Sequence, residues 1–254
     1  MVEIELPYEV KRIIELLETR GFEAYAVGGC VRDSLLLRRP DDWDITTDAT
    51  PDEVRQIFNK TIDTGIAHGT VTVRMHGQSF EVTTYRIDGD YSDGRHPDTV
   101  AFSDSLSDDL GRRDFTINAM AWSERTGLVD PYGGQNDLKQ GFIRAVGEPG
   151  QRFREDALRI LRGMRFASRL GFALDGATAE AMHRLAPGLE RVSRERIFTE
   201  LTGVLQGVHA MRTLSEFHDV LFTVLPELFP MYMCPQKSVY HIYDVWEHTL
   251  HVLD

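Results

Sequence analysis

The chain has 254 residues, of which 42% are hydrophobic and 27% are charged, a composition typical of a globular protein with room for two domains. Its formal net charge of −12 argues against a general nucleic-acid-binding surface, although charge can be segregated into a local basic cleft. The two distant cysteines predict reduced thiols in a cytoplasmic protein, and neither a membrane-spanning apolar run nor a signal peptide is found.

The first part of the chain alternates between predicted helices and strands. PYEVKRIIELLETRG predicts an amphipathic helix that starts at Pro7 and ends at Gly21. A short buried strand, EAYAVGG, then runs into paired glycines before the helix CVRDSLLL. The strand DDWDITT and a helix capped by Thr50 follow, and GTVTVRM and SFEVTTYR alternate as strands around the turn HGQ.

The second part of the chain changes from mixed to helical. The segment from Ile87 to Phe102 is polar and rich in Asp and Gly, which predicts a mobile loop, and RRDFTINAMAW predicts a short helix before the strand GFIRAV. Helical patterns continue after Pro149 to the last residue without a stop signal, so we expect the natural protein to continue. The prediction is an α+β fold with a small mixed-sheet head (1–145), an all-helical neck (146–207) and the start of a helical body (208–254).

Two acidic residues, Asp42 and Asp44, flank Trp43 on the second predicted strand. Residues i and i+2 of a strand point to the same face, so both carboxylates meet on one side of the sheet. Two carboxylates so close together repel each other, which is unfavourable unless a cation lies between the two charges. Acidic pairs are, however, also common in turns. The pair is therefore a candidate Mg²⁺ site.

A candidate phosphate-binding turn, VGGCVRD, lies just upstream of the acidic pair. Gly28 and Gly29 would let the backbone approach a phosphate, and the first N–H groups of the next helix would donate to it. Arg32 adds a cation in the first helical turn. A tight turn explains the glycines equally well, but a phosphate cradle followed by two carboxylates describes a nucleotide–Mg²⁺ site.

A third pattern is the segment FREDALRILRGMRF, residues 153–166, in which charged residues recur at steps of three. In a single helix this spacing places one carboxylate and three guanidiniums in a stripe on the helix surface, which winds gradually around the helix axis. The alternative to a functional site is a solvated face with one or two salt bridges. The residues of the stripe are Asp156, Arg159, Arg162 and Arg165.

Four motifs, GGCVRD, DDWDITT, RRDFTINAMAW and REDALRILRGMRF, resemble in order and spacing those of the class II tRNA nucleotidyltransferases, the CCA-adding enzymes. That family belongs with bacterial poly(A) polymerases in the polymerase-β-like nucleotidyltransferase superfamily. The resemblance covers roughly residues 20–200. The segment GIAHGTVTV resembles the CCA-adding branch, and the Arg/Lys-Phe-x-Leu-x-His string typical of poly(A) polymerases is absent from the sequence.

The resemblance implies an enzyme that adds CCA to the 3′ end of tRNA from CTP and ATP without a nucleic-acid template, using Mg²⁺ and releasing pyrophosphate. It implies that Asp42 and Asp44 hold the catalytic Mg²⁺ ions. Glu81, on a neighbouring strand, matches a third catalytic carboxylate or is a solvent-facing strand residue. The implied nucleotide-binding residues are Gly28, Gly29, Arg32, Arg113, Asp114, Asn118, Asp156, Arg159, Arg162 and Arg165.

Within that set the resemblance implies different roles. Arg32 and Arg113 match phosphate contacts. Asp114 and Asn118 lie in the motif that surrounds the ribose, and which of the two makes the contact stays open. The pair from the E-D-x-x-R motif, Asp156 and Arg159, matches the protein template for the incoming base, while Arg162 and Arg165 match residues that extend the nucleotide site.

Other functions stay open at this stage. A family member can add only CC or only A, although the loop DGDYSDGRHPDTVAF has the length and pattern typical of A addition, and a poly(A) polymerase would make long products. From other classes, the last helix resembles the opening of an HD-type phosphohydrolase domain, and the intact acidic pair disfavours a non-catalytic RNA-binding protein. We expect tRNA, CTP and ATP as partners and no membrane, and no pattern indicates an oligomeric state.

Overall fold

The computed structural model of the protein describes residues 3–89, 91 and 99–253. In these residues the chain divides into two units, the first made of 3–89 and 99–140 and the second of 91 and 141–253. None of the described helices is both long and apolar enough to cross a bilayer.

A mixed β-sheet is the framework of the first unit. The described strands of this unit are β1 (Ala24–Val27), β2 (Asp44–Thr47), β3 (Thr61–Gly65), β4 (Thr70–Met75), β5 (Gln78–Thr84), β6 (Arg86–Asp88), β7 (Val100–Phe102), β8 (Ala121–Ser123) and β9 (Gly127–Val129). Seven of them form one sheet in the order β3-β4-β5-β2-β1-β8-β9. Strand β2 runs antiparallel to β1 and parallel to β5, which confirms the predicted mixed sheet.

The first unit has five described helices. They are α1 (Tyr8–Thr19), α2 (Gly29–Leu35), α3 (Pro51–Ile57), α4 (Leu106–Gly111) and α5 (Gly134–Gln140). Sequence signals indicate the bounds of α1 and the start of α3. Gly21, just beyond α1, has a φ of +92°, which glycine adopts without strain. The predicted cap of α3 is a full capping box, in which Thr50 and Glu53 satisfy each other's backbone N–H groups.

The predicted hairpin around the turn HGQ is also present. Strands β4 and β5 are antiparallel partners from Thr70↔Thr83 to Met75↔Gln78. His76 and Gly77 connect them, both with positive φ (49° and 84°), as a two-residue hairpin turn matching the twist of its strands requires.

Three local predictions for the first unit differ from the structure. The strand predicted for DDWDITT begins only at Asp44. The helix predicted for RRDFTINAMAW is instead a 3-10 turn, Thr116–Asn118, followed by β8. The ends of the predicted loop pair as β6 and β7, while the middle of that loop, residues 90 and 92–98, lies outside the described residues.

The second unit is mostly helical, as expected. Its described helices are α6 (Pro149–Glu155), α7 (Leu158–Leu170), α8 (Gly176–Leu185), α9 (Arg194–Leu205), α10 (Ala210–Glu216), α11 (His218–Val224) and α12 (Val245–Val252). The strand predicted for GFIRAV is reduced to β10 (Phe142–Ile143), which pairs in parallel with β11 (Ala173–Leu174). The single helix predicted for residues 153–166 is wrong, because α6 ends at Glu155 and α7 begins at Leu158. The domain boundaries at 145 and 207 stay predictions.

Candidate nucleotide-binding and catalytic site

The first position of the glycine turn between β1 and α2 favours glycine. Gly28 has a φ of +83°, and its N–H donates to the carbonyl oxygen of Met120 at 3.1 Å. A Cβ atom built on Gly28 would lie 2.8 Å from Nη1 of Arg113. The turn therefore brings bare backbone against a guanidinium, an arrangement suited to a bound anion.

Arg32 joins this turn to the RRDFTIN motif. Its Nη1 donates to Oδ1 of Asn118 at 2.7 Å, while Nε and Nη2 donate to the carboxylate of Asp33 at 2.9 and 2.8 Å. Nδ2 of Asn118 in turn donates to Oδ1 of Asp114 at 3.0 Å. Three predicted site residues thus form one chain of hydrogen bonds, although they are up to 86 positions apart in sequence.

The same bonds explain why RRDFTIN is not a helix. Oδ1 of Asp114 also accepts a hydrogen bond from the backbone N–H of Phe115 at 2.8 Å. Asp and Asn side chains compete in this way with helical hydrogen bonds, and here they favour a turn in which Asn118 bonds Arg32 and Asp114 bonds Asn118.

Arg113 is held by Asp109, a residue that sequence reasoning missed. Asp109 is fully buried, and its Oδ2 accepts from Nη2 of Arg113 at 3.3 Å and from Oγ1 of Thr46 at 3.1 Å. Its Oδ1 accepts from Nε and Nη2 of Arg112 at 2.9 and 2.7 Å. Burial by itself would raise the pKa of the Asp109 carboxyl, but Arg113 and Arg112 hold that pKa below its ordinary value.

Removing the Asp109 carboxylate should destabilise the protein, because two guanidiniums would lose their buried counter-ion. We expect Asp109→Ala to lower the free energy of unfolding by about 3 kcal/mol, measured by urea denaturation. Asp104→Ala, at an exposed carboxylate five positions away, is the control and should change it by less than about 0.5 kcal/mol. Equal stabilities of the two variants would contradict this account of Asp109.

One donor of Arg113 remains available. Its Nε is buried and has no hydrogen-bond partner among the described residues. A buried donor without an acceptor is costly, so an arriving phosphate oxygen would satisfy it. This observation supports the prediction that Arg113 binds phosphate.

The acidic pair lies at the end of β2 that adjoins the glycine turn. Asp44 is the first residue of β2 and is the register partner of Val27, the last residue of β1. The negative charge of Asp44 also acts on Cys30, the second residue of α2. Burial and the Asp44 carboxylate together raise the pKa of the Cys30 thiol to about 12. Asp42 precedes the strand and is exposed.

The electrostatics of Asp44 indicate a position that favours a cation. Burial, together with the negative charges of Asp42 and Glu81, raises the pKa of its carboxyl to about 6, although the positive charge of Arg113 opposes this rise. Glu81 is exposed on β5, the parallel neighbour of β2, so the structure brings this candidate third carboxylate into electrostatic contact with Asp44.

The chemistry of these donors fits a hard divalent cation. Carboxylate oxygens are the ligands that Mg²⁺ prefers, usually one or two of them, completed by water and substrate phosphates. In the part of the chain that the structure describes, no group of three or more His, Cys, Asp or Glu side chains is arranged to hold a metal alone. The acidic pair would therefore need phosphate and water oxygens to complete the coordination.

In the second unit, Asp156 lies between two helices rather than on one. It directly follows the last residue of α6 as the C-cap. Its Oδ1 accepts from the backbone N–H of Leu158 at 3.1 Å, and its Oδ2 accepts from Nη2 of Arg196 at 2.7 Å. Arg159, on α7, donates through Nη1 to Oε2 of Glu155 at 2.7 Å. Asp156 and Arg159 are thus each fixed by a different partner, Arg196 and Glu155, and neither partner was predicted.

The other two arginines of the stripe turn progressively toward another face of α7. Three residues turn an α-helix by about 300°, so each step of three shifts the side chain by about 60° around the helix axis. Arg165, two such steps after Arg159, therefore lies about 120° around the helix from it. The guanidinium carbon of Arg162 lies 5.7 Å from the ring centre of Phe166, and that of Arg165 lies 4.6 Å from it. Arg165 also donates to Glu200 on α9, so the four residues do not share one uniform surface.

Two protein-family models match the chain. The poly A polymerase head domain matches residues 24–144, and the probable RNA and SrmB-binding site of polymerase A matches residues 171–232. The first range contains the glycine turn, the acidic pair and the RRDFTIN motif.

Relatives carry one common name. The CCA-adding enzyme of Limosilactobacillus reuteri is 48% identical over 205 residues, which cover 81% of this chain and 51% of the relative. The enzyme of Geobacillus thermodenitrificans is 50% identical over 217 residues, which cover 85% of this chain and 54% of the relative. The enzyme of Ligilactobacillus salivarius is 43% identical over 247 residues, which cover 96% of this chain and 61% of the relative. The chain spans about half the length of the curated relatives it matches.

Solved structures agree with these relatives. The CCA-adding enzyme of Bacillus stearothermophilus in complex with CTP is similar with a TM-score of 0.77 and 45% identity, covering 84% of this chain and 52% of the other. The Thermotoga maritima CCA-adding enzyme complexed with tRNA is similar with a TM-score of 0.72 and 26% identity, covering 89% and 53%. The head fold of this chain is therefore that of CCA-adding enzymes.

Proposed function

The chain belongs to the nucleotidyltransferase family of the CCA-adding enzymes and the poly A polymerase head domain, and we propose that it adds CCA to the 3′ end of tRNA. In this reaction the terminal 3′-hydroxyl attacks the α-phosphate of CTP or ATP, a new phosphodiester bond forms, and pyrophosphate leaves. The observation that carries the proposal is the junction of the Gly28 turn, Asp44 and Arg113 at one end of β1 and β2.

The first unit would bind the triphosphate and the metal. Arg32 and Arg113 would hold phosphate oxygens, and the orphaned Nε of Arg113 supports that role. We assign Asp42 and Asp44 as ligands of Mg²⁺ and Glu81 as the third carboxylate of the reaction centre, with Asp114 and Asn118 around the ribose. Bound Mg²⁺ would supply the positive charge that favours the attacking alkoxide and the leaving pyrophosphate.

The second unit would select the base. An ionised Asp156 only accepts hydrogen bonds and Arg159 only donates them. Cytosine offers an amino group beside N3, and adenine offers an amino group beside N1, so the same pair can satisfy either base. The partners Arg196 and Glu155 support this role, because they fix both side chains before a base arrives.

The decisive experiment gives the protein tRNA that lacks its CCA end, with Mg²⁺ and labelled CTP or ATP, separately and together. We expect two cytidines with CTP alone and three added nucleotides with both. Products that stop at two nucleotides when both CTP and ATP are present would identify an enzyme that adds only CC. With a second substrate, tRNA that already ends in CC, addition of one A to this tRNA alone would identify an enzyme that adds only A. Long products with ATP would identify a poly(A) polymerase, and no product would refute catalysis by this chain.

The segment between β6 and β7 is proposed to permit the change from C to A addition. Its Asp- and Gly-rich sequence supports this role. Asp88, which precedes the segment, forms an ion pair with Arg86, with 3.0 Å between Oδ1 of Asp88 and Nε of Arg86. Deleting residues 92–97 should spare CC addition and lower addition of the terminal A by at least about tenfold, measured by product length on a sequencing gel. Equal loss of both activities would indicate destabilisation instead.

A further inference from the structure

The second unit contains a cleft of about 520 Å³ between α7 and α9. Side chains of opposite helices face each other across it. The lining includes Arg165 and Arg169 from α7, and Phe198, Glu200, Gly203 and Gln206 from α9 or its C-terminal end.

The floor of the cleft is a fixed ion pair. Nε of Arg165 donates to Oε2 of Glu200 at 2.6 Å, and Glu200 is only 7% exposed. A Cβ atom at Gly203 would lie 2.4 Å from Cδ of Arg165, so the arginine stem lies directly against this glycine. Arg165 is therefore held in place, and its charge is compensated.

The rim of the cleft presents an aromatic ring and a cation to solvent. Phe198, in the first half of α9, is 73% exposed. Arg169 is exposed in the last turn of α7 and has no hydrogen-bond or ion-pair partner among the described residues. The cleft thus offers a stacking surface and one uncompensated positive charge.

This combination is typical of sites for single nucleotides of an RNA strand. Exposed aromatic rings stack on bases, and a guanidinium beside them binds the backbone. One uncompensated charge matches one phosphodiester group, whereas a nucleoside triphosphate carries three or four negative charges. The cleft is also separate from the base-selecting pair, because Arg169 lies about 15 Å along α7 from Arg159.

We propose that this cleft binds one nucleotide of the RNA substrate, with its base on Phe198 and its phosphate on Arg169. The identity of the ligand as RNA rests on the proposed function. The hydroxyl of Thr202 and the amide of Gln206 can donate to the same nucleotide.

The test measures binding of a tRNA transcript without its CCA end, at several salt concentrations, to the full 254-residue chain. Phe198→Ala should weaken binding about tenfold and Phe198→Trp should keep it, because the tryptophan ring still stacks. Arg169→Gln should lower the slope of log affinity against log salt by about 0.7, the value for one single-strand phosphate. Arg184→Gln, at an exposed arginine of α8, is the charge-matched control and should leave the slope unchanged.

CTP binding separates this proposal from its alternatives. We expect the Kd for CTP to stay within twofold of wild type in both variants. Unchanged tRNA affinity in Phe198→Ala and Arg169→Gln, or an equal loss of CTP affinity, would overturn the proposal. A wild-type protein that binds tRNA through this cleft but adds no CMP would refute the proposed catalysis and leave the cleft assignment standing.

Discussion

Replacing Asp42 or Asp44 with asparagine should reduce addition of CMP to tRNA by at least about a hundredfold. The expected cause is loss of the carboxylate charge that holds a divalent cation beside the glycine turn. The measurement is the rate of labelled CMP incorporation under saturating CTP and Mg²⁺. Asp41→Asn is the matched control, since Asp41 is exposed and adjacent in sequence but is not coupled to Asp44.

Stability measurements distinguish this loss from unfolding. The folded-state pKa of Asp44, about 6, lies above its ordinary value of 3.8, so the folded protein binds this proton more tightly than the unfolded chain does. The corresponding stability is present below about pH 4 and is lost as the pH rises through 6. In EDTA at pH 8, Asp44→Asn should therefore be at least as stable as wild type. Addition within threefold of wild type for either variant would contradict the metal assignment.

The second large effect concerns the choice of base. Uracil and guanine present a carbonyl oxygen where cytosine and adenine present an amino group, so they would set an acceptor against the Asp156 carboxylate. Hydrogen bonds to charged groups contribute roughly 1.5–3 kcal/mol each, and an unpaired buried partner adds its desolvation cost. Two such mismatches give selection of about a thousandfold, in the range that hydrogen-bonding sites achieve.

We therefore expect Asp156→Ala and Arg159→Ala to lose most discrimination against UTP and GTP while Mg²⁺-dependent addition survives at a reduced rate. The measurement is kcat/KM for all four nucleotides on tRNA. Arg154→Ala, at an exposed arginine of α6, is the control and should keep wild-type selectivity. If both test variants also kept it, Asp156 and Arg159 would have only the structural roles that their contacts with Arg196 and Glu155 describe.

The sequence predicted correctly those helix ends and turns that depend on a few neighbouring residues. Pro7 and Gly21 bound α1, Thr50 caps α3, and His76 with Gly77 forms the hairpin turn, because each feature depends on a few neighbouring residues. The mixed sheet followed from strands of alternating polarity.

The errors occurred where a polar side chain competes with the backbone. Asp114 bonds the N–H of Phe115 and replaces a predicted helix with a turn, and Asp156 bonds the N–H of Leu158 where a continuous helix was expected. Helical periodicity alone contains no information about these bonds.

The missed site residues divide into two kinds. Asp109 precedes Arg112 and Arg113 by three and four positions, so helical spacing could have identified it. Arg196 lies 40 positions from Asp156, and Glu200 lies 35 positions from Arg165. These pairs depend on how α9 packs against α7 and against the junction of α6 and α7. Such contacts cannot be read from spacing within one element.

The carboxylates that hold Arg32 and Arg113 have a consequence for the thermodynamics of ligand binding. Arginine side chains lose up to about 2 kcal/mol of rotamer entropy when they are ordered. Because Asp33 and Asp109 fix both guanidiniums in the folded head, that loss occurs during folding and does not recur when a nucleotide arrives. The head would therefore act as a rigid receptor: a phosphate that fits would find its hydrogen-bond donors already in place, and one that does not fit could not draw the donors toward itself.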